Sequence, residues 1–188
     1  MDGGDGMRMN AVLVCLFGAA VTAASFGQGL GFSKGMMAGD SSYTLDITSP
    51  YLHAWGSQYV AARLSGDVMA KEGVLSGEDT DSIVWPAYFT GRLGIALATL
   101  PRDSLRLYAG AGGMALFPTG TIASSLGPSL GFYVDTGVEF FLDDGKHATM
   151  FLEVGTAATL GKPAAAKMRQ APILGNGPVA LAGARYYF

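Results

Sequence analysis

From residue 28 onward, apolar and polar residues alternate in eight runs, at roughly Gln28–Met37, Ser42–Leu52, Gln58–Ala70, Ile83–Leu100, Ser104–Phe117, Ser129–Leu142, Lys146–Leu160 and Gly177–Phe188. A period of two sends successive side chains to opposite faces, so each run predicts one strand with two distinct faces. In the fourth run Ile83, Trp85, Ala87, Phe89, Gly91, Leu93, Ile95 and Leu97 share one face, and Tyr88, Thr90, Arg92, Gly94, Ala96 and Ala98 share the other. The sixth sets Leu130, Phe132, Val134, Thr136, Val138, Phe140 and Leu142 against Gly131, Tyr133, Asp135, Gly137 and Glu139. The first run is the least regular, because Lys34 falls on its otherwise apolar face. After the first 25 residues, no apolar run reaches the ~18 residues expected of a membrane helix. The pattern predicts an all-β chain forming an eight-stranded antiparallel up-and-down transmembrane β-barrel.

The connections sort by length. Three are tight, at His53–Ser57, Pro101–Asp103 and Asp143–Gly145, and three are longer, at Lys71–Ser82, Pro118–Pro128 and Gly161–Asn176. Counting up and down from the first strand, all the tight turns fall at the end that carries both termini, and all the long loops fall at the other. Outer-membrane barrels keep short turns in the periplasm and longer loops outside, so both termini are expected in the periplasm and the loops at the surface. Ala38–Ser41 is a fourth, unusually short, outer connection.

Alternation alone also fits a soluble eight-stranded cup, which would point its apolar face inward. The polar faces decide between them. They hold Gly31, Ser33, Gly94, Ala96, Ala98, Gly110, Gly112, Gly131, Gly137, Gly155 and Gly183, where a solvated face would carry Lys, Glu and Gln. Small residues suit the crowded lumen of a narrow barrel. The same faces carry nearly balanced charges, Asp46, Arg63, Asp67, Arg92, Arg106, Asp135, Glu139, Glu153 and Arg185, predicted to form an ion cluster in the lumen. Arg63, Arg92 and Arg106 are the expected partners of Asp67, Asp135 and Glu139. Outward aromatics gather at the strand ends, Tyr43, Trp85 and Phe117 at one and Tyr51, Phe140, Tyr186 and Phe188 at the other, as in the two girdles of a membrane barrel.

The ends of the chain agree. Residues 1–25 read as a signal peptide, with Arg8 before an apolar run from Ala11 to Ala24, and Met7 is an alternative start. The barrel is then 26–188. Cys15, the single cysteine, lies inside that apolar run, so a mature chain would hold no disulfide. Val179–Phe188 alternates and closes on an aromatic, which suits a last strand whose outer face meets lipid. The net charge is −3 with no basic stripe, which argues against nucleic acid as a partner. The 28 glycines are scattered rather than periodic, which excludes a collagen-like chain.

GFYVDTGVEFFLDD (131–144), FLEVG (151–155) and GNGPVALAGARYYF (175–188) resemble the closing three strands of the small eight-stranded outer-membrane proteins, the group of OmpA-domain, OmpX and OmpW-like barrels. With LDITSPYL (45–52) they also resemble treponemal outer-membrane proteins of this size. The resemblance covers nearly the whole mature chain and rests on pattern. It implies an integral bacterial outer-membrane barrel, with outer-membrane lipid and the barrel assembly machinery as partners.

Two functions remain in view. One is a narrow conduit for small, apolar solutes, as the likeness to OmpW implies. Met69, Tyr88, Met114 and Tyr133 would line its upper lumen, and Leu126, Ile173 and Leu174 would reach over it from loops. The other is a structural or surface-interaction protein with a closed lumen. A monomer is expected. His53 and His147 sit near the tight turns with no nucleophile at a suitable spacing, so no enzyme activity is expected. Nor is a metal or other cofactor: the acidic loop of Glu72, Glu78, Asp79 and Asp81 does not match a calcium-binding loop.

Overall fold

The computed structural model describes residues 29–72, 83–99, 104–119, 127–160 and 176–188, giving only the backbone at 71, 72 and 83–86. The expected signal peptide with Cys15, the turn at 101–103, the acidic loop beyond Glu72 and most of the other two long loops lie outside these residues.

The described strands are β1 (Gly29–Met37), β2 (Asp40–Thr48), β3 (Leu52–Trp55), β4 (Gln58–Glu72), β5 (Ile83–Thr99), β6 (Leu105–Pro118), β7 (Ser129–Phe141), β8 (Ala148–Thr159) and β9 (Gly177–Tyr187). Every pairing is antiparallel. β1 pairs with both β2 and β9, and β2 with β4, which closes β1-β2-β4-β5-β6-β7-β8-β9 into an eight-stranded ring. Closure removes the sheet edges whose unpaired N–H and C=O groups could not be satisfied in lipid. β3 is a short spur paired to β4 alone.

That spur corrects the second predicted run, Ser42–Leu52. The strand leaves the ring at Thr48 because Pro50 has no N–H to give the ladder. Ser49 ties the break to β4 instead: its N–H donates to the Ala62 carbonyl at 2.8 Å, and its Oγ accepts from the Ala62 N–H at 2.9 Å.

At the loop end, β1 and β2 are joined by Ala38 and Gly39, with φ of 56° and 87°. Positive φ at both central residues makes this a type I′ hairpin, whose twist matches its flanking strands. At the other end, where β1 begins and β9 finishes, are the turns at Gly56–Ser57 and Asp143–His147. The rim of the loop end is uneven. Pairing of β5 with β6 stops at Tyr88 and Pro118, whereas β4 and β5 stay paired as far as Glu72 and Ile83.

Sidedness follows the alternation. Leu93 is 65% exposed and Phe132 52%, whereas Arg92 is 2% exposed and Glu139 0%. The greasy residues form the outside wall, and the charged ones line the axis.

Candidate functional site: an ion-paired lumen

Local register builds the lumen around glycines. Gly31 of β1 stands between Asp46 on β2 and Arg185 on β9, and Arg185 reaches over it to place Nε 2.9 Å from Asp46 Oδ1. A Cβ on Gly31 would strike the Asp46 carboxylate. Gly137 of β7 likewise lies between Tyr108 on β6 and Glu153 on β8, and the Tyr108 hydroxyl donates across it to Glu153 at 2.9 Å. These glycines are saddles that let a long side chain on one strand meet a carboxylate two strands away.

Toward the terminal end, Arg106 Nε donates to Glu139 at 2.8 Å, and Arg185 and the Tyr187 hydroxyl both bond the other Glu139 oxygen. The Arg106 guanidinium is packed among the rings of Tyr51, Phe141 and Tyr187, with centroids 4.3, 4.9 and 5.0 Å away. At mid-height Arg63 bonds Glu153 at 2.8 Å and lies 3.5 Å from Asp135. Arg92 holds Asp67 through Nε at 3.1 Å and Nη2 at 2.9 Å, and Thr44 and Thr90 donate to the same carboxylate. Above these, Met37, Met69, Tyr88, Met114, Leu116 and Tyr133 belong to a buried apolar cluster, and the Tyr88 hydroxyl bonds Asp40 at 2.7 Å. The lumen is therefore filled in layers, charged below and largely apolar toward the loop end.

Burying this many ions would cost several kcal/mol each without partners, so the pairing is a condition of the fold. The nine charged residues predicted for the cluster comprise five carboxylates and four guanidinium groups, leaving one negative charge in excess. Asp135 Oδ2, Glu153 Oε1 and Arg63 Nε are buried and make no hydrogen bond among the described residues.

All nine predicted cluster residues face the lumen and are buried. Each of the three expected arginines pairs with one of the three expected carboxylates. Arg92 meets Asp67, Arg106 meets Glu139 and Arg63 meets Asp135, and Arg63 makes a second, shorter contact to Glu153. Met69, Tyr88, Met114 and Tyr133 come together in the upper lumen, while Leu126, Ile173 and Leu174 lie outside the described residues. On the outer wall, Tyr43, Phe117, Phe140, Tyr186 and Phe188 are exposed, and the Trp85 side chain lies outside the description. Tyr51 is a correction. It was expected in the outer girdle, but the break at Pro50 interrupts the alternation and its ring turns inward against Arg106. Tyr108, Tyr187, Thr44 and Thr90 complete the network and were not singled out. All sit on the polar faces of their runs, a signal that alternation provides.

His53 bonds the Gly56 carbonyl at 3.1 Å, and His147 Nδ1 lies 2.9 Å from the Tyr187 carbonyl, so both brace terminal-end turns. Among the described residues no three His, Cys, Asp or Glu side chains gather in a way that could hold a metal ion.

No protein-family model matches the sequence, and no curated protein does. Among solved structures, the chain is similar to the N-terminal β-barrel domain of Pseudomonas aeruginosa OprF, at 13% identity over 86% of this chain and 96% of that one, with a TM-score of 0.52. It also aligns with the Yersinia pestis outer-membrane protein Ail in a phospholipid bilayer nanodisc (10% identity, 86% and 98% covered, TM-score 0.48). Neisserial surface protein A aligns at 14% identity, with 86% and 94% covered and a TM-score of 0.46. The likeness to OprF agrees with the closed ring, the apolar wall and the polar axis: this chain has the fold of the small eight-stranded outer-membrane barrels.

Proposed function

We propose that the chain is an integral bacterial outer-membrane protein with a closed lumen, a structural or surface-interaction barrel that works through its outer wall and its loop end. The observation that carries this reading is the Arg63–Glu153 bond at 2.8 Å. β4 and β8 are four staves apart in a ring of eight, so this pair crosses the lumen at full width. The apolar layer of Met69, Tyr88 and Met114 sits over it. A solute passing along the axis would have to part both layers. The exposed band of Leu93, Phe132, Leu152 and Val154 supports insertion in a bilayer, since soluble monomers rarely show apolar patches beyond a few hundred Å². Tight turns at the end where β1 begins and β9 finishes support a periplasmic placement of that end.

The conduit is the second reading, favoured by one observation. Arg63 pairs with both Glu153 and Asp135, and Glu153 also lies 3.9 Å from Arg92, so these groups have alternative partners to exchange. Planar-bilayer recording separates the two. The closed-lumen reading expects no steady unitary current from the wild-type protein and no uptake of small apolar solutes by liposomes that contain it. Steady wild-type conductance or solute uptake would overturn it in favour of the conduit.

A further inference from the structure

The outer wall carries a dent and, beside it, a cation. The dent encloses about 350 Å³ and is lined by Leu45, Ile47, Leu64, Val68, Phe89 and Phe117, among others. Its floor is the β4–β5 backbone, bared where Gly66 and Gly91 face each other in the register. A Cβ on Gly91 would meet nothing within 4 Å, and its φ is not positive. Neither packing nor backbone conformation therefore calls for glycine there. A glycine inside a strand weakens it and often marks a place that a ligand approaches closely.

The cation is Lys34. Register places Lys34, Tyr43, Val68, Phe89 and Phe117 side by side on β1, β2, β4, β5 and β6, in one outward row that borders the dent on its loop-end side. Lys34 is exposed on the apolar wall, with Nζ 5.4 Å from the centre of the Tyr43 ring. The ion pairs between described residues all lie in the lumen, and none includes Lys34. Leu45, which lines the dent, stands on β2, one strand spacing of about 4.8 Å from β1 and two residues along from Tyr43, the register partner of Lys34.

We propose that this is a binding site for one anionic bilayer phospholipid, with its phosphate on Lys34 and one acyl chain lying over Gly66 and Gly91. The proposal rests on the membrane reading above. Size and charge select the occupant. A stable protein–protein interface takes roughly 20–30 residues a side, whereas eleven residues line this dent. That suits a single hydrocarbon chain better than a second barrel. The Lys34 ammonium on the outer wall complements a phosphate as a point charge, and an acyl chain hanging from that phosphate would run down the wall past Phe89 and Phe117.

The test is native mass spectrometry of the protein released from nanodiscs of phosphatidylglycerol or phosphatidylcholine with identical chains. The wild-type barrel is expected to retain one phosphatidylglycerol in preference to phosphatidylcholine. Lys34→Gln should cut that preference about fivefold, the equivalent of one surface cation near an anionic headgroup. Gly91→Leu, which fills open space, should reduce retention of both lipids while keeping the heat-dependent gel mobility of a folded barrel. Equal retention of the two lipids by the wild type, or no change in Lys34→Gln, would overturn the site. So would a dimer in nanodiscs that Gly91→Leu abolishes, which would give the dent to a second copy. A wild-type chain that shows no heat-dependent mobility would instead refute the membrane reading, and the site with it.

Discussion

Arg63 Nη2 lies 2.8 Å from Glu153 Oε2, although the two residues stand on opposite walls of the barrel and are 90 positions apart in the chain. A bond of this kind acts as a tie-rod across the ring. Both side chains are buried, so removing one partner leaves the other uncompensated in a confined lumen. Glu153→Leu or Arg63→Leu alone should therefore destabilise the barrel by about 3–5 kcal/mol, and the double substitution by clearly less than the sum. Urea unfolding in lipid vesicles measures the cycle. Strictly additive losses would mean that the pair is not coupled.

The saddle glycines make a second prediction. A Cβ on Gly137 would fall on the Tyr108 ring and near the Leu152 carbonyl, with backbone on one side and a bonded tyrosine on the other. Gly137→Ala should cost about 1–3 kcal/mol by overpacking. Gly91→Ala, on the outer wall in open space, should be neutral or stabilising by about 0.5–1 kcal/mol, because it relieves the entropic cost of glycine in a strand. The urea midpoint should fall in Gly137→Ala and stay level or rise in Gly91→Ala.

Ala38 offers a stabilising change. It holds φ of 56° in the β1–β2 hairpin, a left-handed conformation that costs a residue with a Cβ about 1–2 kcal/mol. Ala38→Asn or Ala38→Gly should stabilise the barrel by up to about 1 kcal/mol while keeping the bond from the residue 38 N–H to the Pro178 carbonyl. An unfolding midpoint unchanged or lowered in both variants would count against a type I′ turn.

The terminal-end turn gives a pH dependence with a defined sign. The Asp143 carboxylate accepts the Ala148 N–H at 2.7 Å and the His147 N–H at 3.2 Å. These bonds, Ala148 foremost, hold its pKa below the ordinary carboxylate range. The folded state thus binds its proton less readily than the unfolded chain. Its contribution is complete above the unfolded pKa, near ~4, and is lost as pH falls through the lower folded value. The wild-type advantage over Asp143→Asn should shrink on acidification below that range. An NMR titration that finds Asp143 at or above the ordinary value would refute the turn geometry.

Much of this architecture is legible in the chain because period two is a strong signal in a closed ring. Arg106 and Glu139 sit on polar faces of their runs, and their placement on the axis follows once the small residues beside them rule out a solvated surface. Pairing is another matter. Which carboxylate Arg63 meets depends on the stagger of eight strands, and no local pattern encodes that. Alternation also loses count at a break: Pro50 resets the parity, and Tyr51 lands inside. The dent at Gly91 was invisible for a related reason. In the sequence Gly91 is a small residue on an apolar face, and only the register shows Gly66 beside it and Lys34 at the end of the neighbouring row.

Among the described residues, the pairing of β4 with β5 outruns that of β5 with β6 at the loop end. Backbone from Ile83 to Ala87 continues beyond the last β5–β6 partners, whereas β1 and β2 turn back at once through Ala38 and Gly39. The extra rungs pair the upper backbone of β4 and β5, whose N–H and C=O groups need partners wherever lipid surrounds them.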